Sequence, residues 1–395
     1  MHPPGLHLHR NFMLDCRQNS YFDIGRFGGL NLKRRERRRN MRRKILVPKR
    51  TPVAPLLRPW IASMEYWATM MNLPQHDWST PHRVVAECAN AKLLYFGGKK
   101  TGRVMLINPP QASHSSSGCD FGPGRSLVQT AVASGIGEVY AIDWKSAGFD
   151  RRNEDIGDFV TTMYSFIDGL DRDVDLNGVC QGGWQAAIYA ALYPERVRTL
   201  TLVASPIDFH GGESKISEWV NALPDIWFQN LVAMGNGVLD GRYILLAFKM
   251  MHPTERFVED NWKLYLSILE GRWEEVQQQV HFRSWYDRAV QNLPGSFYLQ
   301  VVRELFKKNS LVRGELEILG QRVDLKKITC PTFLVTGDTD DITPDPQACA
   351  MKDCVSTSCS CRHFEVEGGH FATFAGSGAM GRWKEEIFPA IKTAG

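Results

Sequence analysis

Three residue types at three places in this chain could together perform nucleophilic acyl chemistry. They are a cysteine in Gly178-Val179-Cys180-Gln181-Gly182-Gly183, an aspartate in Gly337-Asp338-Thr339-Asp340-Asp341-Ile342-Thr343-Pro344, and a histidine in Gly368-Gly369-His370. A thiol becomes a strong nucleophile once a base removes its proton, and an imidazole oriented by a carboxylate is such a base. The spacing around Cys180 is G-x-S-x-G with sulfur in place of oxygen, a pattern that seats the nucleophile on a sharp turn from strand to helix. That turn strains the nucleophile's backbone and leaves no room for neighbouring Cβ atoms, which glycine satisfies. The N-terminus of the following helix favours thiolate over thiol, and the N–H of Gln181 is placed to donate to an oxyanion. A buried structural cysteine in a glycine-rich turn is the alternative. Against it stand the apolar strand expected at Asp173–Leu176 and the Ala-rich helix expected at Gln185–Tyr193, closed by Pro194.

The order Cys180, Asp340, His370 is nucleophile, acid, base, the chain order of α/β-hydrolase triads, and each residue follows an expected strand. His370 would take the Cys180 proton, and Asp340 would orient the imidazole and could assist a second, hydroxyl nucleophile. Asp338 and Asp341 flank the acid, but the spacing Gly337-x-x-Asp340-x-x-x-Pro344 favours Asp340. A second oxyanion donor should come from the loop after the strand ending at Asn108. Pro109 and Pro110 carry no N–H, so Gln111 or Ala112 is expected to supply it, Gln111 first. Sulfur in place of oxygen points to acyl transfer from a thioester: exchange between thioesters is nearly isoenergetic, and the acyl-cysteine keeps enough driving force to acylate an alcohol. His114, Ser115-Ser116-Ser117 and His210 read as loop or pocket-lining residues. Cys354, Cys359 and Cys361 lack zinc-site spacing and read as free thiols, so neither a metal nor a cofactor is expected.

The elements that must carry these residues alternate. Strands are expected at Val84–Glu87, Lys92–Phe96, Arg103–Asn108, Val139–Ile142, Val197–Ala204, Pro331–Thr336 and His363–Val366, with helices at Ser126–Ala133 and Ile156–Leu170. This is the rhythm of an α/β fold, a doubly wound, mostly parallel sheet. From Pro206 the rhythm breaks into helical patterns rich in Trp, Phe and Tyr, read as an inserted helical cap that walls an acyl pocket. The expected organisation is a basic arm at 1–50, a linker and N-terminal helix at 51–80, the first part of the core at 81–210, the cap at 211–320 and the second part of the core at 321–395. The helix at 61–71 has an aromatic and Met face expected to pack into a core.

Composition narrows the class. The 395 residues are 43% hydrophobic and 23% charged, enough for one large α/β domain with an insertion. The net charge of +4 hides an asymmetry: residues 1–50 hold 14 of the 47 Lys and Arg but 3 of the 43 Asp and Glu, so the body is mildly acidic. The arm reads as solvated and disordered, with polyanion binding, a start at Met41 or a transit peptide as alternatives. No run of eighteen apolar residues is present and no apolar leader precedes the core, so neither a membrane span nor a secretory signal is expected. Nine cysteines, an odd count, suggest a reducing compartment such as the cytoplasm.

Taken together, the motifs resemble polyhydroxyalkanoate synthases. The box around Cys180 matches their G-x-C-x-G-G. Leu106-Ile107-Asn108-Pro109-Pro110, Ser126-Leu127-Val128, Asn292-Leu293-Pro294-Gly295, Asn309-x-Leu311 and Val323-Asp324-Leu325 are similar to further family segments, and Asp340–Pro344 and Gly369-His370 to the acid and base loops. The resemblance covers roughly residues 78–390. It implies an α/β-hydrolase fold and an acyltransferase that polymerises 3-hydroxyacyl-CoA into polyester with release of CoA. It also implies Cys180 as acyl carrier, His370 as base and Asp340 as helper of the attacking hydroxyl. The implied partners are 3-hydroxyacyl-CoA, the growing polyester chain, a second copy of the chain and, where the cysteine-bearing chain is short, a second synthase subunit. The implied location is the cytoplasm, at the polyester granule surface. Nucleic acid is not an expected partner. Asp341 stands where the family often has His, and Trp184 where a smaller residue is common. The competing readings are a cysteine hydrolase (an acyl-CoA thioesterase or an intracellular polyhydroxyalkanoate depolymerase) and a non-catalytic relative that binds acyl ligands or polyester surfaces.

Overall fold

The computed structural model of the chain describes residues 55–394, and the basic arm lies outside them. Two compact units are present. One comprises Asp77–Ile244 and the chain from Val290 onward; the other comprises the described residues up to His76 together with Leu245–Ala289.

The first unit is built on an eight-stranded sheet. In chain order its strands are β1 (Arg83–Glu87), β2 (Ala91–Gly98), β3 (Val104–Asn108), β4 (Glu138–Trp144), β5 (Val174–Val179), β6 (Val197–Val203), β7 (Thr332–Gly337) and β8 (Cys361–Val366). Their spatial order is β1-β2-β4-β3-β5-β6-β7-β8. β2 runs antiparallel to β1 and β4, and every pairing from β4 to β8 is parallel. β3, β5 and β7 are buried along their whole length, as strands covered on both faces must be. Leu106, Leu176 and Leu200 lie side by side across β3, β5 and β6 and are fully buried.

The crossover helices pack where the sequence directs them. Helix α1 (Leu127–Ser134) is capped by the Ser126 hydroxyl. Helix α2 (Ile156–Leu170) opens on a capping box in which Asp155 and Asp158 reciprocally satisfy orphan N–H groups. Helix α3 (Gln181–Leu192) is buried over nearly its whole length. Three elements differ from expectation. β5 runs on to Val179 and α3 begins at Gln181, because Gly182 and Gly183 form the helix's first turn; glycine's poor helix propensity hides this. A small hairpin of Asp120–Gly122 and Arg125–Ser126 follows the loop after β3. Two short helices, Asp345–Cys349 and Met351–Cys354, fill the connection from β7 to β8.

A buried ionic knot closes the lower end of the sheet. Arg103 makes a bidentate pair with Asp175 at 2.7 and 3.0 Å, and the Thr199 hydroxyl donates to the same carboxylate at 2.9 Å. The Arg103 guanidinium also donates to the carbonyls of Ile391, Lys392 and Ala394, which tethers the last helix to β3.

Residues 211–320 are mostly helical, with paired two-residue strands at Val238–Leu239 and Leu293–Pro294. Within the first unit, Asn309 accepts the Phe209 N–H at 3.0 Å and donates to Asp208 at 2.7 Å, so it clamps the chain just after it leaves β6. In the second unit the N-terminal helix spans Arg58–Met71, with Pro59 in its first turn, where a missing N–H costs nothing. Ala62, Tyr66, Met70 and Leu73 pack with Leu264 and Ile268. The expectation that the aromatic and Met face of 61–71 is core is corrected in part: Tyr66 and Met70 pack, whereas Met64, Trp67 and Met71, together with the preceding Trp60, are exposed.

Candidate active site

Each sequence-predicted site residue follows the C-terminal end of a strand. Cys180 comes directly after β5, Gln111 three residues after β3, Asp340 three after β7 and His370 four after β8. In an open parallel sheet these ends face one edge, where ligands bind. Residues nearly two hundred positions apart are gathered there by topology.

The turn at Cys180 has the strained geometry that its glycines imply. Cys180 adopts φ +51° and ψ −119°, outside the regions ordinary residues favour. The strain is held by the backbone: the Cys180 N–H donates to the Val203 carbonyl at 2.8 Å, and its carbonyl accepts from the Gly183 N–H at 2.9 Å. The glycines permit close approach. A Cβ on Gly182 would fall 2.1 Å from the Asn108 carbonyl oxygen, and one on Gly183 would fall 1.7 Å from Ser205 Oγ. The loop after β3 and the start of α3 are therefore in direct contact.

Asp340 and His370 form a tight pair. The ring Nδ1 lies 2.8 Å from one carboxylate oxygen and 3.1 Å from the other. Asp340 is buried, and its Oδ1 also accepts the N–H groups of Ile342 and Thr343 at 3.0 and 2.9 Å, which fixes the carboxylate. The Cys180 side chain acts on the same ring, favouring its protonated form. Burial works against the imidazolium, but Asp340 and then Cys180 outweigh it, so His370 holds its proton well above the ordinary histidine value. Of the three neighbouring aspartates, Asp340 is the one paired with the ring. Asp338 instead accepts the Gly368 N–H at 2.8 Å and ties the acid loop to the base loop.

The two expected oxyanion contributors lie on the two segments that meet at Gly182, the start of α3 and the loop after β3. Gln181 is the first residue of α3. Gln111 is fully buried, and both atoms of its side-chain amide lack a hydrogen-bond partner among the described residues. Other singled-out residues are occupied elsewhere. The Ser116 hydroxyl accepts the Trp144 N–H at 3.0 Å, His114 bridges to Val290, and the exposed His210 contacts the Phe306 carbonyl at 2.6 Å. Trp184 is wholly buried in the core and stacks on Phe297.

Several positioning residues were not legible in the sequence. Buried Asn108 donates to the Gly182 carbonyl at 2.9 Å and accepts from Trp144 Nε1 at 3.1 Å, linking β3 to the first turn of α3. Ser205 donates to the Cys180 carbonyl at 3.0 Å. Arg125 lies over the rings of Phe121 and Phe371 and donates to the Ala375 carbonyl at 2.9 Å, so the hairpin braces the residue next to His370. Cys119 is a second, fully buried thiol in this region; burial, then Asp120 and Cys180, push its pKa far up and keep it protonated. The one available signal was position: Asn108 ends β3 and Ser205 lies two residues past β6, each directly before a proline.

Known proteins bear on this arrangement. Residues 205–394 match the family described as PHB de-polymerase C-terminus. The chain is 25% identical over 326 residues to the poly(3-hydroxyalkanoate) polymerase subunit PhaC of Haloferax mediterranei, a match that covers 79% of this chain and 63% of that one. It is 28% identical over 300 residues to the protein of the same name from Allochromatium vinosum, covering 72% and 77%. The chain thus spans less than two thirds of the Haloferax relative. Among solved structures, it is similar to an esterase from Exiguobacterium antarcticum at 16% identity and a TM-score of 0.47, covering 80% of this chain and 99% of that one. The strand order, the G-x-C-x-G-G turn with its His–Asp pair, and relatives that align across most of the chain lead to one conclusion: this protein has the α/β-hydrolase fold and is similar in sequence to poly(3-hydroxyalkanoate) polymerases.

Proposed function

We propose that the chain is a cysteine acyltransferase that polymerises 3-hydroxyacyl-CoA into polyester and releases CoA. In this reading His370 takes the Cys180 proton, and the thiolate attacks the thioester carbonyl. The oxyanion that forms is met by the backbone N–H groups of Gln181 and Gln111. The C–S bond to CoA then breaks, His370 returns the proton to the departing CoA thiolate, and the acyl group remains on Cys180. A hydroxyl from a second acyl unit attacks that thioester. His370, oriented by Asp340, accepts the hydroxyl proton, and Cys180 leaves as the extended ester forms.

The observation that carries the proposal is a thiol, rather than a hydroxyl, on the strained turn beside a buried His–Asp pair. Thioester exchange onto sulfur conserves the energy that ester formation then uses. The names of the Haloferax and Allochromatium relatives agree with polymer synthesis, and the word subunit in them favours a second chain as partner, alongside self-association. We place the enzyme in the cytoplasm at the polyester surface; no helix among the described residues is long and apolar enough to cross a membrane.

A second reading, hydrolysis of an acyl-CoA or of the polyester, is favoured by the description of the matching family as a de-polymerase C-terminus. Incubation with 3-hydroxybutyryl-CoA separates the two. CoA release with insoluble polyester is the expected result; CoA release with free 3-hydroxybutyrate, or degradation of supplied polyester, would install the hydrolase instead.

A further inference from the structure

Below the acid and base loops lies a cluster of side chains that the proposed chemistry does not use. Asp345 and Cys349 are one turn apart on the short helix after the acid loop, so they share a face. His363 stands on β8. One donor atom from each of the three lies within 4.8 Å of the other two. His363 Nε2 is 3.8 Å from Asp345 Oδ2, and Cys349 Sγ is 3.8 Å from each ring nitrogen.

These separations are close to those around a small tetrahedral ion. Bonds of about 2.3 Å to sulfur and about 2.0–2.2 Å to nitrogen and oxygen put neighbouring donors roughly 3.3–3.7 Å apart. Cys349 and His363 would therefore need to shift by only a few tenths of an ångström, and Asp345, whose donor lies within 4.8 Å of the other two, by up to about 1 Å. Two further observations point the same way. Asp345 Oδ1 is buried without a hydrogen-bond partner among the described residues, which is costly for a carboxylate oxygen that no cation meets. Thr336 Oγ1 lies 2.7 Å from His363 Nε2, so the ring would bind through Nδ1, which is 3.8 Å from Cys349 Sγ, with Thr336 as the outer support of the ligating histidine and Asp345 turning from Nε2 toward the ion.

We propose that Asp345, Cys349 and His363 form a site for a zinc-class divalent cation. A donor set of one thiolate, one imidazole and one carboxylate suits zinc or cobalt and not calcium or magnesium. Lys352, which lies beside Cys349, is the competing cation. Cys361 and Glu365 each stand two positions from His363 on the same strand, hence on the same face, and either is a source of a fourth ligand besides water. The site's place in the chain gives it a role. Asp345 is five residues past Asp340, and His363 is seven before His370, so a bound ion would pin together the two segments that present the acid and the base. This departs from the expectation of no metal, which rested on the spacing of Cys354, Cys359 and Cys361.

The test uses the reduced, chelator-treated full chain, titrated with zinc against a chromogenic chelator and separately with cobalt. The expected result is about one equivalent bound, a thiolate-to-cobalt charge-transfer band, and a rise in thermal midpoint on adding zinc. Cys349→Ser should abolish the band, and Asp345→Asn and His363→Gln should each weaken zinc binding about tenfold or more. Asp345→Asn is nearly isosteric, so its circular dichroism should match the wild type and keep the comparison meaningful. Absence of stoichiometric uptake by the wild type would overturn the proposal, as would a charge-transfer band that persists in Cys349→Ser. Every readout is metal-bound rather than catalytic, so a chain that binds zinc yet transfers no acyl group leaves the site standing.

Discussion

Ser205 Oγ occupies the space that a Cβ on Gly183 would need, at 1.7 Å, while its hydroxyl donates to the Cys180 carbonyl at 3.0 Å. One small side chain thus both braces the strained turn and forbids any residue but glycine three positions after Cys180. Gly183→Ala should destabilise the fold by about 1–3 kcal/mol through overpacking. Ser205→Gly in the same chain should recover part of that loss. Gly182→Ala should not be recovered by it, because the clash there is with the backbone carbonyl of Asn108. Denaturant midpoints of the two single variants and of each combined with Ser205→Gly decide the matter: an equal loss for Gly183→Ala with and without Ser205→Gly would show that the turn is not limited by this contact.

His370 should titrate above 6.5, the ordinary histidine value, because Asp340 and Cys180 outweigh its burial. The sign for stability follows. A raised folded-state pKa contributes stability that is fully present below the unfolded value and is lost as pH rises through the folded one. Asp340→Asn should therefore cost most stability below about pH 6.5 and above the carboxylate range, and progressively less as the pH climbs through the folded value. Imidazole nitrogen shifts in the NMR spectrum give the titration directly. A His370 that titrates at or below 6.5 in the wild type would refute the assigned balance of forces.

Cys180→Ala should abolish CoA release from 3-hydroxybutyryl-CoA, and retained release would remove Cys180 from the mechanism. Cys180→Ser is the finer probe. An oxygen ester at this position lacks the driving force to pass its acyl group to an alcohol, so residual hydrolysis with loss of polymer is expected. Polymer yield measured beside free acid checks this, and undiminished polymer would count against the thioester argument.

Asp175 is almost fully buried between Arg103 and Thr199. Asp175→Ala leaves the Arg103 charge inside the sheet without its partner and should cost about 3–5 kcal/mol. Replacing both members of the pair with apolar residues should cost much less, since the penalty comes from the orphaned charge. Urea unfolding of the single and double variants measures the difference.

Much of this could be read from local pattern. The Ile156–Leu170 helix, the buried runs of β3, β5 and β7, and the Gly-flanked cysteine each carry their signal within a few residues, because periodicity and backbone strain are local properties. Asp340 was separable from Asp338 and Asp341 by its spacing to Pro344. The start of α3 was read four residues late because Gly182 and Gly183 lie in a helix that tertiary contact, not propensity, sustains.

The sequence by itself determined the alternation of strands and helices, the Gly-flanked cysteine turn and the chain order Cys180, Asp340, His370, because each rests on residue type and short spacing. Only the tertiary structure decided that Asn108, Ser205 and Arg125 hold the site, that Trp60, Met64, Trp67 and Met71 face outward, and that Asp345, Cys349 and His363 meet. Those facts depend on which strands become neighbours in the order β1-β2-β4-β3-β5-β6-β7-β8, and contact between distant residues leaves no local trace in the chain.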